Sequence, residues 1–420
     1  MLTSNVLMPD IAAAIGHTIP NTSGSWMTPL IREMRSQAPE IQMGVLIYAA
    51  GLNLKEPIIK DVNGVRYYLT SWGKIGRRLG VSGGLRTQIR EALDDFDPDL
   101  VNVWGTETPF AQQVTREAQT RNSKTLVCIQ GIASTCGKAA FGGLSFAEIL
   151  KYRTFKEWLT CSGMLERGLH MKLRGKNEMK LIPSLSHVVF QGRWTESQVA
   201  AINPTAHRYF TDRLIRDAFW NAHWSLDTCN RHTIFAPSGA GPAKGVHHTI
   251  CALPLIRQKF PDVSLRIAGL SASDLASGKQ GYSSYLKHLI KKHQLEKHVT
   301  ALGPLSAEEM SKECENAHVF VHASAIESYC VAFAEAMLVG LPACCSYVGG
   351  MPGLAVDCEE AVFHSFGDYQ MLAHQISEVF ADETYAASLS KNAKKRARKR
   401  HEAKRIIDNF IDSYQNSIGH

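Results

Sequence analysis

Two glutamates, eight positions apart, carry the clearest chemical signal in this sequence. Glu327 and Glu335 lie in an otherwise apolar segment. A charged residue inside an apolar helix is unusual. A carboxylate accepts hydrogen bonds from hydroxyl groups, so two of them suit a ribose and a hexose held side by side. The alternative is an ordinary buried strand–helix–strand unit with two incidental acidic residues. We therefore expect a site for a hydroxyl-rich ligand around this pair.

The chain around the two glutamates predicts a strand, a helix and a second strand. The first run, His318 to His322, is short and apolar. The next, Ser328 to Val339, is rich in Ala, Met and Leu and contains neither Gly nor Pro, which favours a helix. Gly340-Leu341-Pro342 would end that helix, and Ala343 to Tyr347 would form the next strand.

This order of elements places both glutamates where open parallel sheets bind their ligands. Glu327 would lie in the loop at the carboxyl end of a strand, and Glu335 inside the following helix. The start of that helix, at Ser328, offers unpaired N–H groups and the positive end of the helix dipole. We expect a diphosphate there, with close backbone contacts from the loop at Gly349 and Gly350.

A second glycine-rich loop predicts another phosphate contact. The strand Thr233 to Ala236 leads into Pro-Ser-Gly-Ala-Gly-Pro-Ala-Lys-Gly, and a helix follows from Val246 to Lys259. Glycine backbone, here at Gly241, can approach a phosphate closely, and a lysine at the helix start adds a point charge. Lys244 is therefore a candidate for stabilising a departing diphosphate, with a merely solvated lysine as the alternative.

The first half of the chain alternates strands and helices at the spacing of βαβ units, which predicts a parallel sheet. Glu107 and Gln130 each follow a predicted strand, so both lie where a parallel sheet binds ligands. Gly24 lies in a polar turn before a helix, and Arg193 follows a later strand.

Three expectations about the less regular segments also follow. The first strand would be short, from Asn5 to Met8. Basic amphipathic helices from Ser145 to Cys161 and from Leu165 to Leu173 would pack on the first sheet, or else form a patch that meets a membrane or a lipid-linked acceptor. Trp220 to Arg231 would link two domains.

Together these residues resemble the Glu-x7-Glu motif of retaining GT-B glycosyltransferases of family 4. The resemblance covers both glutamates, the Glu-Ala-Met triplet that starts at Glu335, Gly340-x-Pro342 and the Gly349-Gly350 pair. Further motifs look like a bacterial subgroup that builds surface polysaccharides: Asp97-Pro98-Asp99, Gly105-Thr106-Glu107, Gln130-Gly131 and Gly192-Arg193. The sequence departs from the family at Gly239, where many members carry an arginine, and it lacks the histidine that many carry near Glu107 or Gln130.

The resemblance implies an α/β fold of the GT-B type, with two doubly wound, Rossmann-like domains facing across a cleft. Residues 1–220 would bind the acceptor and residues 221–390 the nucleotide-sugar donor. Residues 391–420 would form a basic helix that packs back on the first domain.

The resemblance also implies the roles of the residues. Glu335 would hold the ribose, Glu327 the sugar hydroxyls and Lys244 the diphosphate. Gly24 and Arg193 would add contacts on the donor side, and Glu107 and Gln130 are candidates for the acceptor side. The enzyme would move a sugar from a nucleotide-diphosphate sugar to a glycan or lipid-linked acceptor, with retention, in surface polysaccharide synthesis. The scheme needs no metal and no cofactor. Two alternatives are a nucleotide-sugar epimerase of the same fold and a non-catalytic sugar-nucleotide-binding subunit.

Composition sets the class of protein. With 420 residues, 45% hydrophobic and 20% charged, the chain is typical of globular proteins with two or three domains. We expect no signal peptide and no transmembrane helix, and hence a cytoplasmic protein. Nine of the basic residues fall between Lys391 and Arg405. That run is either a solvated helix face or a site of attraction to an anionic membrane, whereas no motif for nucleic acid is present.

Overall fold

The computed structural model describes residues 1–18, 26–49, 52, 54, 56–71, 83–278 and 281–419. The chain forms two compact units. The first comprises Met1–Ala133, Arg174–Leu214 and His401–His420, and the second comprises Ser134–Leu173 and Ile215–Arg400. Each unit contains one sheet with helices packed on it, so the predicted α/β class with two Rossmann-like units is confirmed.

The strands divide between two sheets. They are β1 (Leu2–Ser4), β2 (Met43–Tyr48), β3 (Ile58–Val62), β4 (Val65–Thr70), β5 (Leu100–Trp104), β6 (Lys124–Cys128), β7 (His187–Phe190), β8 (His207–Phe210), β9 (Thr233–Ala236), β10 (Ser264–Ala268), β11 (Val299–Gly303), β12 (Val319–His322), β13 (Ala343–Ser346) and β14 (Val362–His364). The first unit has the order β3-β4-β2-β1-β5-β6-β7-β8, with β3 antiparallel to β4 and the other pairs parallel. The second has the order β11-β10-β9-β12-β13-β14, all parallel.

The helices cover the faces of these sheets. They are α1 (Pro9–Ala14), α2 (Met27–Gln37), α3 (Gly83–Phe96), α4 (Pro109–Thr120), α5 (Ala133–Cys136), α6 (Phe146–Lys151), α7 (Phe155–Thr160), α8 (Met164–Leu181), α9 (Arg193–Ala200), α10 (Val246–Arg257), α11 (Ala272–Ser277), α12 (Gly281–Lys292), α13 (Ala307–Asn316), α14 (Val331–Val339), α15 (Tyr369–Ala381), α16 (Glu383–Arg400) and α17 (Ala403–Gly419). Among the described residues, no helix combines the length and the hydropathy that a bilayer crossing requires.

The strand order of the second unit fixes where a ligand site can form. The chain runs outward from β9 through β10 to β11, and then returns to place β12 on the other side of β9. The loops after β9 and β12 therefore leave the sheet in opposite directions and open a crevice at its carboxyl edge. Both strands are fully buried, as expected for parallel strands covered on both faces.

Glycine backbone holds the loops of this crevice together. Gly245 adopts a φ of +69°, and a Cβ atom there would lie 1.7 Å from the carbonyl oxygen of Ala323. Gly350 donates its N–H to the Glu327 carbonyl at 2.8 Å, and a Cβ atom on it would lie 2.1 Å from the Ser328 carbonyl oxygen. Only glycine permits both approaches without displacement of the backbone.

Several expectations for individual segments are wrong. The first strand is Leu2–Ser4, not the four residues after it, because the N-terminal residues pair with β2 and β5. The antiparallel strand β3 was not predicted. Residues 145–161 form two helices, each begun by its own capping box, instead of one. Trp220 to Arg231 lies within the second unit instead of linking the two, and Trp224, 3% exposed, donates to the Ala317 carbonyl at 2.8 Å.

The units also differ from the predicted domain boundaries. Residues 134–173, which fall within the predicted first domain, belong to the second unit. Seven of the nine basic residues lie on α16, also in the second unit, whereas Lys404 and Arg405 lie on α17, which returns to the first. Phe410 of α17 is 1% exposed and packs on Trp104 of β5, with ring centroids 5.7 Å apart. An apolar stripe on the last helix, rather than its charge, accounts for this return.

Replacement of Gly245 by alanine tests the packing of the crevice loops. We expect Gly245→Ala to lower the free energy of unfolding by about 2 kcal/mol or more. The alanine would have to adopt a left-handed backbone conformation, and its Cβ atom would collide with the Ala323 carbonyl. Gly241→Ala is the matched control, since Gly241 has extended backbone and nothing lies within 4 Å of its Cβ position. Urea unfolding measures both, and equal stabilities would contradict the packing described here.

Candidate functional site

Three side chains meet at the crevice of the second unit. Lys244 lies at the end of a 3-10 turn in the loop after β9, and Glu327 lies in the loop after β12. The Lys244 ammonium donates to Glu327 Oε1 at 2.6 Å. His322, the last residue of β12, places its Nε2 atom 2.7 Å from the same oxygen. The structure therefore brings together the two residues that the sequence named, Lys244 and Glu327, and adds a histidine.

Electrostatics make this cluster cationic. Burial raises the pKa of Glu327, but the charges of Lys244 and His322 outweigh burial and lower that pKa to about 2. Burial lowers the pKa of His322, but its contacts with Cys330 and Glu327 outweigh burial and raise that pKa to about 9. Burial likewise lowers the pKa of Lys244, and Glu327 reverses the shift to a net increase. At neutral pH two cations thus share one carboxylate, which leaves a net charge of +1.

Cys330 lies beside the cluster at the start of α14. Its φ of +66° is uncommon for a residue with a side chain, and no side chain caps the helix there. His322, Glu327 and Cys330 each offer one ligand atom, all within 4.8 Å of one another, so the three could hold a metal ion. Such an ion would compete with Lys244 for the Glu327 carboxylate. The expectation that the site needs no metal therefore stays a prediction.

Glu335 has an internal partner that the sequence did not reveal. It lies inside α14 with a side chain 2% exposed, and both of its oxygens accept from Arg216, at 2.6 and 2.8 Å. Burial raises the pKa of Glu335, and the guanidinium opposes that increase. The predicted ribose contact would have to share this carboxylate with Arg216.

The remaining donor-side candidates differ in their distance along the fold from the Glu327 loop. Gly349, like Gly350, packs on the loop of Glu327: a Cβ atom there would lie 2.1 Å from the Glu327 carbonyl oxygen. Ser328 is half-buried beside Glu327. Arg193 begins α9 in the first unit and is exposed. Gly24 lies outside the described residues.

The first unit has its own polar groups at the carboxyl ends of strands. Glu107, after β5, accepts from the Thr106 N–H at 2.9 Å, and burial raises its pKa. Gln130 follows β6 and is half-buried. Gln191, after β7, is 4% exposed, and neither polar atom of its side chain has a hydrogen-bond partner in the part of the chain that the structure describes. Gln191 therefore joins Glu107 and Gln130 as a polar group at this edge of the sheet.

Sequence reasoning missed three of these residues. His322 and Gln191 could have been found, because each ends or follows a strand predicted to be buried. Arg216 carried no local signal, since 119 positions separate it from Glu335.

Sequence comparison relates the second unit to a known family. Residues 229–396 match the family model of group 1 glycosyl transferases. The chain is also 28% identical, over 171 residues, to one component of the phosphatidylinositol N-acetylglucosaminyltransferase from Homo sapiens. That match covers 39% of this chain and 32% of the human protein, about a third of its length.

Comparison with solved structures covers nearly the whole chain. Sucrose-phosphate synthase from Thermosynechococcus elongatus aligns over 99% of this chain and 98% of its own, with a TM-score of 0.72 and 15% identity. The Anabaena protein HepE, in a complex with UDP-glucose, aligns over 99% of each chain, with a TM-score of 0.68 and 16% identity. These likenesses show a shared fold, the GT-B type predicted above. Together with the family match, they indicate a glycosyltransferase.

The raised pKa of His322 predicts a specific dependence of stability on pH. Between about pH 6.5 and pH 9 the folded protein keeps a proton that the unfolded chain has lost, so stability falls as pH rises through this window. We expect a loss of about 3 kcal/mol that His322→Gln abolishes. Urea unfolding across this range measures it.

The matched control is His364→Gln, at the end of β14. Burial lowers the pKa of His364 to about 4, so this side chain is neutral throughout the window. The control should keep the pH dependence of the wild type. A His322→Gln variant whose stability falls as steeply as that of the wild type would contradict the charged histidine.

Removal of Arg216 tests the buried ion pair. We expect Arg216→Gln to lower the free energy of unfolding at pH 7 by about 3 kcal/mol, because Glu335 is left buried and unpaired. Part of the loss should return near pH 5 as that carboxyl protonates. Urea unfolding at both pH values is the measurement.

Arg266→Gln supplies the comparison. Arg266 binds Glu313 with the same two-bond geometry, at 2.6 and 2.7 Å, but the two side chains are 35% and 15% exposed. Its removal should cost about 1 kcal/mol or less. Equal costs for the two variants would refute the special burial of the Arg216–Glu335 pair.

Proposed function

We propose that this chain transfers a sugar from a nucleotide-diphosphate sugar to a glycan or lipid-linked acceptor, with retention at the anomeric carbon. The observation that carries the proposal is the cationic cluster of Lys244, His322 and Glu327 at the crevice between β9 and β12. When the bond between the sugar and the diphosphate breaks, the leaving group gains negative charge. Cations fixed in a largely buried site stabilise that charge more than water does.

The remaining donor contacts are part of the same proposal. Glu327 fixes the two cations and would accept a hydroxyl of the sugar. The backbone near Ser328, Gly349 and Gly350, with Gly241 across the crevice, would approach the diphosphate. Glu335 would accept the ribose hydroxyls through lone pairs that Arg216 leaves unused, which makes Arg216 a positioning residue.

The acceptor side is proposed on less specific grounds. Glu107 and Gln130, with Gln191, are the polar groups offered by the carboxyl ends of strands in the first unit. Arg193 and Gly24 stay candidates for the donor side on sequence grounds alone. The human relative is named for phosphatidylinositol, which supports a lipid-linked acceptor here. We also propose membership of family 4, a role in surface polysaccharide synthesis and a cytoplasmic location. These three rest on the motifs and composition described above.

Nucleotide binding and transfer test the donor site. We expect one of UDP, GDP and ADP to bind in calorimetry, with UDP the first choice because HepE was solved with UDP-glucose. Lys244→Met should weaken that binding about tenfold and slow sugar transfer about 100- to 1,000-fold, because a cation that faces the leaving group is lost. Lys259→Met, at an exposed position after α10, should change neither.

Other results would redirect or end the proposal. Conversion of the nucleotide sugar to its epimer, without acceptor, would indicate the epimerase. Nucleotide binding without any turnover would indicate the non-catalytic binding protein. A folded Glu335→Gln variant that binds the nucleotide as the wild type does would remove Glu335 from the ribose site. Loss of activity in EDTA, restored by Zn²⁺, would show that a metal is required, with His322, Glu327 and Cys330 as candidate ligands.

A further inference from the structure

Residues 145–173 form α6, α7 and the first half of α8 in the second unit, and their outward faces expose large apolar side chains. The most exposed side chains are large: Phe155 is 77% exposed, Leu159 68%, Phe146 64% and Trp158 61%. Phe155, Trp158 and Leu159 are spaced three and four positions apart on α7, so they share one helix face. A solvent-exposed surface rarely leaves such a concentration of aromatic and leucine side chains uncovered.

The inward faces of the same helices are firmly packed. Glu157 accepts from the Gly281 N–H at 2.9 Å and also caps α7 through Thr154. Tyr152 packs on Tyr285 of α12, with ring centroids 5.2 Å apart, and Ile149 is 2% exposed. The exposed side chains therefore stand on an ordered base, and we call them and the helices that carry them the 145–173 surface.

The charge of this surface is one-sided. Lys151, Lys156, Arg167 and Lys172 are all exposed. Every carboxylate between residues 145 and 173, all of which the structure describes, is bonded within the second unit: Glu148 to Ser145, Glu157 to Thr154 and Gly281, and Glu166 to Arg153. A partner meets apolar side chains and cations there, with no unpaired carboxylate among them.

We propose that the 145–173 surface holds the protein on an anionic phospholipid membrane. Aromatic and leucine side chains insert at the boundary between headgroups and acyl chains, and lysine and arginine are attracted to anionic headgroups. The surface offers both contributions on consecutive helices. The inference rests on the proposed function only for its biological purpose, since a lipid-linked acceptor would lie in that membrane.

The basic run of α16 is a weaker candidate for the same role. Several of its cations are used inside the second unit: Arg396 donates to the Leu354 carbonyl at 2.8 Å, Arg400 to the Gly353 carbonyl at 2.6 Å, and Lys394 lies 2.7 Å from His223 Nδ1. Its buried residues are apolar, Ala386, Leu389, Ala393 and Ala397, and α16 exposes no large hydrophobic side chain. Charge without an inserting side chain gives reversible attraction only.

Vesicle binding of the full chain tests the membrane proposal without donor or acceptor. The membrane proposal can therefore fail while the transferase proposal stands, and the transferase proposal can fail while the membrane proposal stands. The protein is floated with vesicles of phosphatidylcholine and phosphatidylglycerol in roughly a 7:3 ratio, and with phosphatidylcholine alone. We expect binding to the anionic vesicles. Phe155→Ser/Trp158→Ser/Leu159→Ser should lower the partition coefficient about tenfold or more. Lys151→Gln/Lys156→Gln should lower it several-fold, about as far as added salt does.

Val356→Ser/Met371→Ser is the matched control, because it removes two hydrophobic side chains of the same unit that are 41% and 42% exposed and lie outside residues 145–173. It should bind as the wild type does. The proposal is overturned if the triple variant floats like the wild type, if only changes in α16 abolish binding, or if no vesicle binds. It is also overturned if the triple variant instead lowers the mass of an oligomer in sedimentation, since the surface would then bind a second copy.

Discussion

The contact between Lys244 and Glu327 is the interaction on which the site of this protein depends. The two residues are 83 positions apart, and each comes from a loop at the carboxyl end of a buried strand. They meet because β9 and β12 are neighbours at the point where the strand order of the sheet reverses. His322 adds a second cation from the last position of β12. The sheet topology thus creates a small, buried excess of positive charge, which is the property that a diphosphate leaving group requires.

Buried charge also explains why the second glutamate of the motif differs from the first. Glu327 lies in a loop with two cations, whereas Glu335 lies inside an apolar helix that is almost fully buried. A lone carboxylate in that position would lose its hydration without compensation. Arg216 supplies the compensation with two hydrogen bonds, and it fixes the carboxylate in one orientation. The pair therefore compensates the one charge that α14 carries.

The glycines of the site act through close backbone contact. Gly245 and Gly350 press against the chain on either side of Glu327, so the loops after β9, β12 and β13 form one packed layer. The helices between residues 134 and 173 add a different feature to the same unit. They bury one face on α12 and leave the other apolar and basic. The charged cluster and an exposed apolar surface of distinct chemistry thus belong to a single unit.

The sequence by itself determined the class of fold, the positions of most strands and helices in the second unit, and the placement of Lys244 and Glu327 at one edge of a sheet. Those features depend on local apolar patterns and on glycine placement, which act over a few residues. Tertiary structure decided the rest. The partner of Glu335, the charge of His322, the position of residues 134–173 and the return of α17 to the first unit all depend on contacts made by the folded chain. A pattern of neighbours cannot specify such contacts, because burial and Coulomb interactions depend on distance in space.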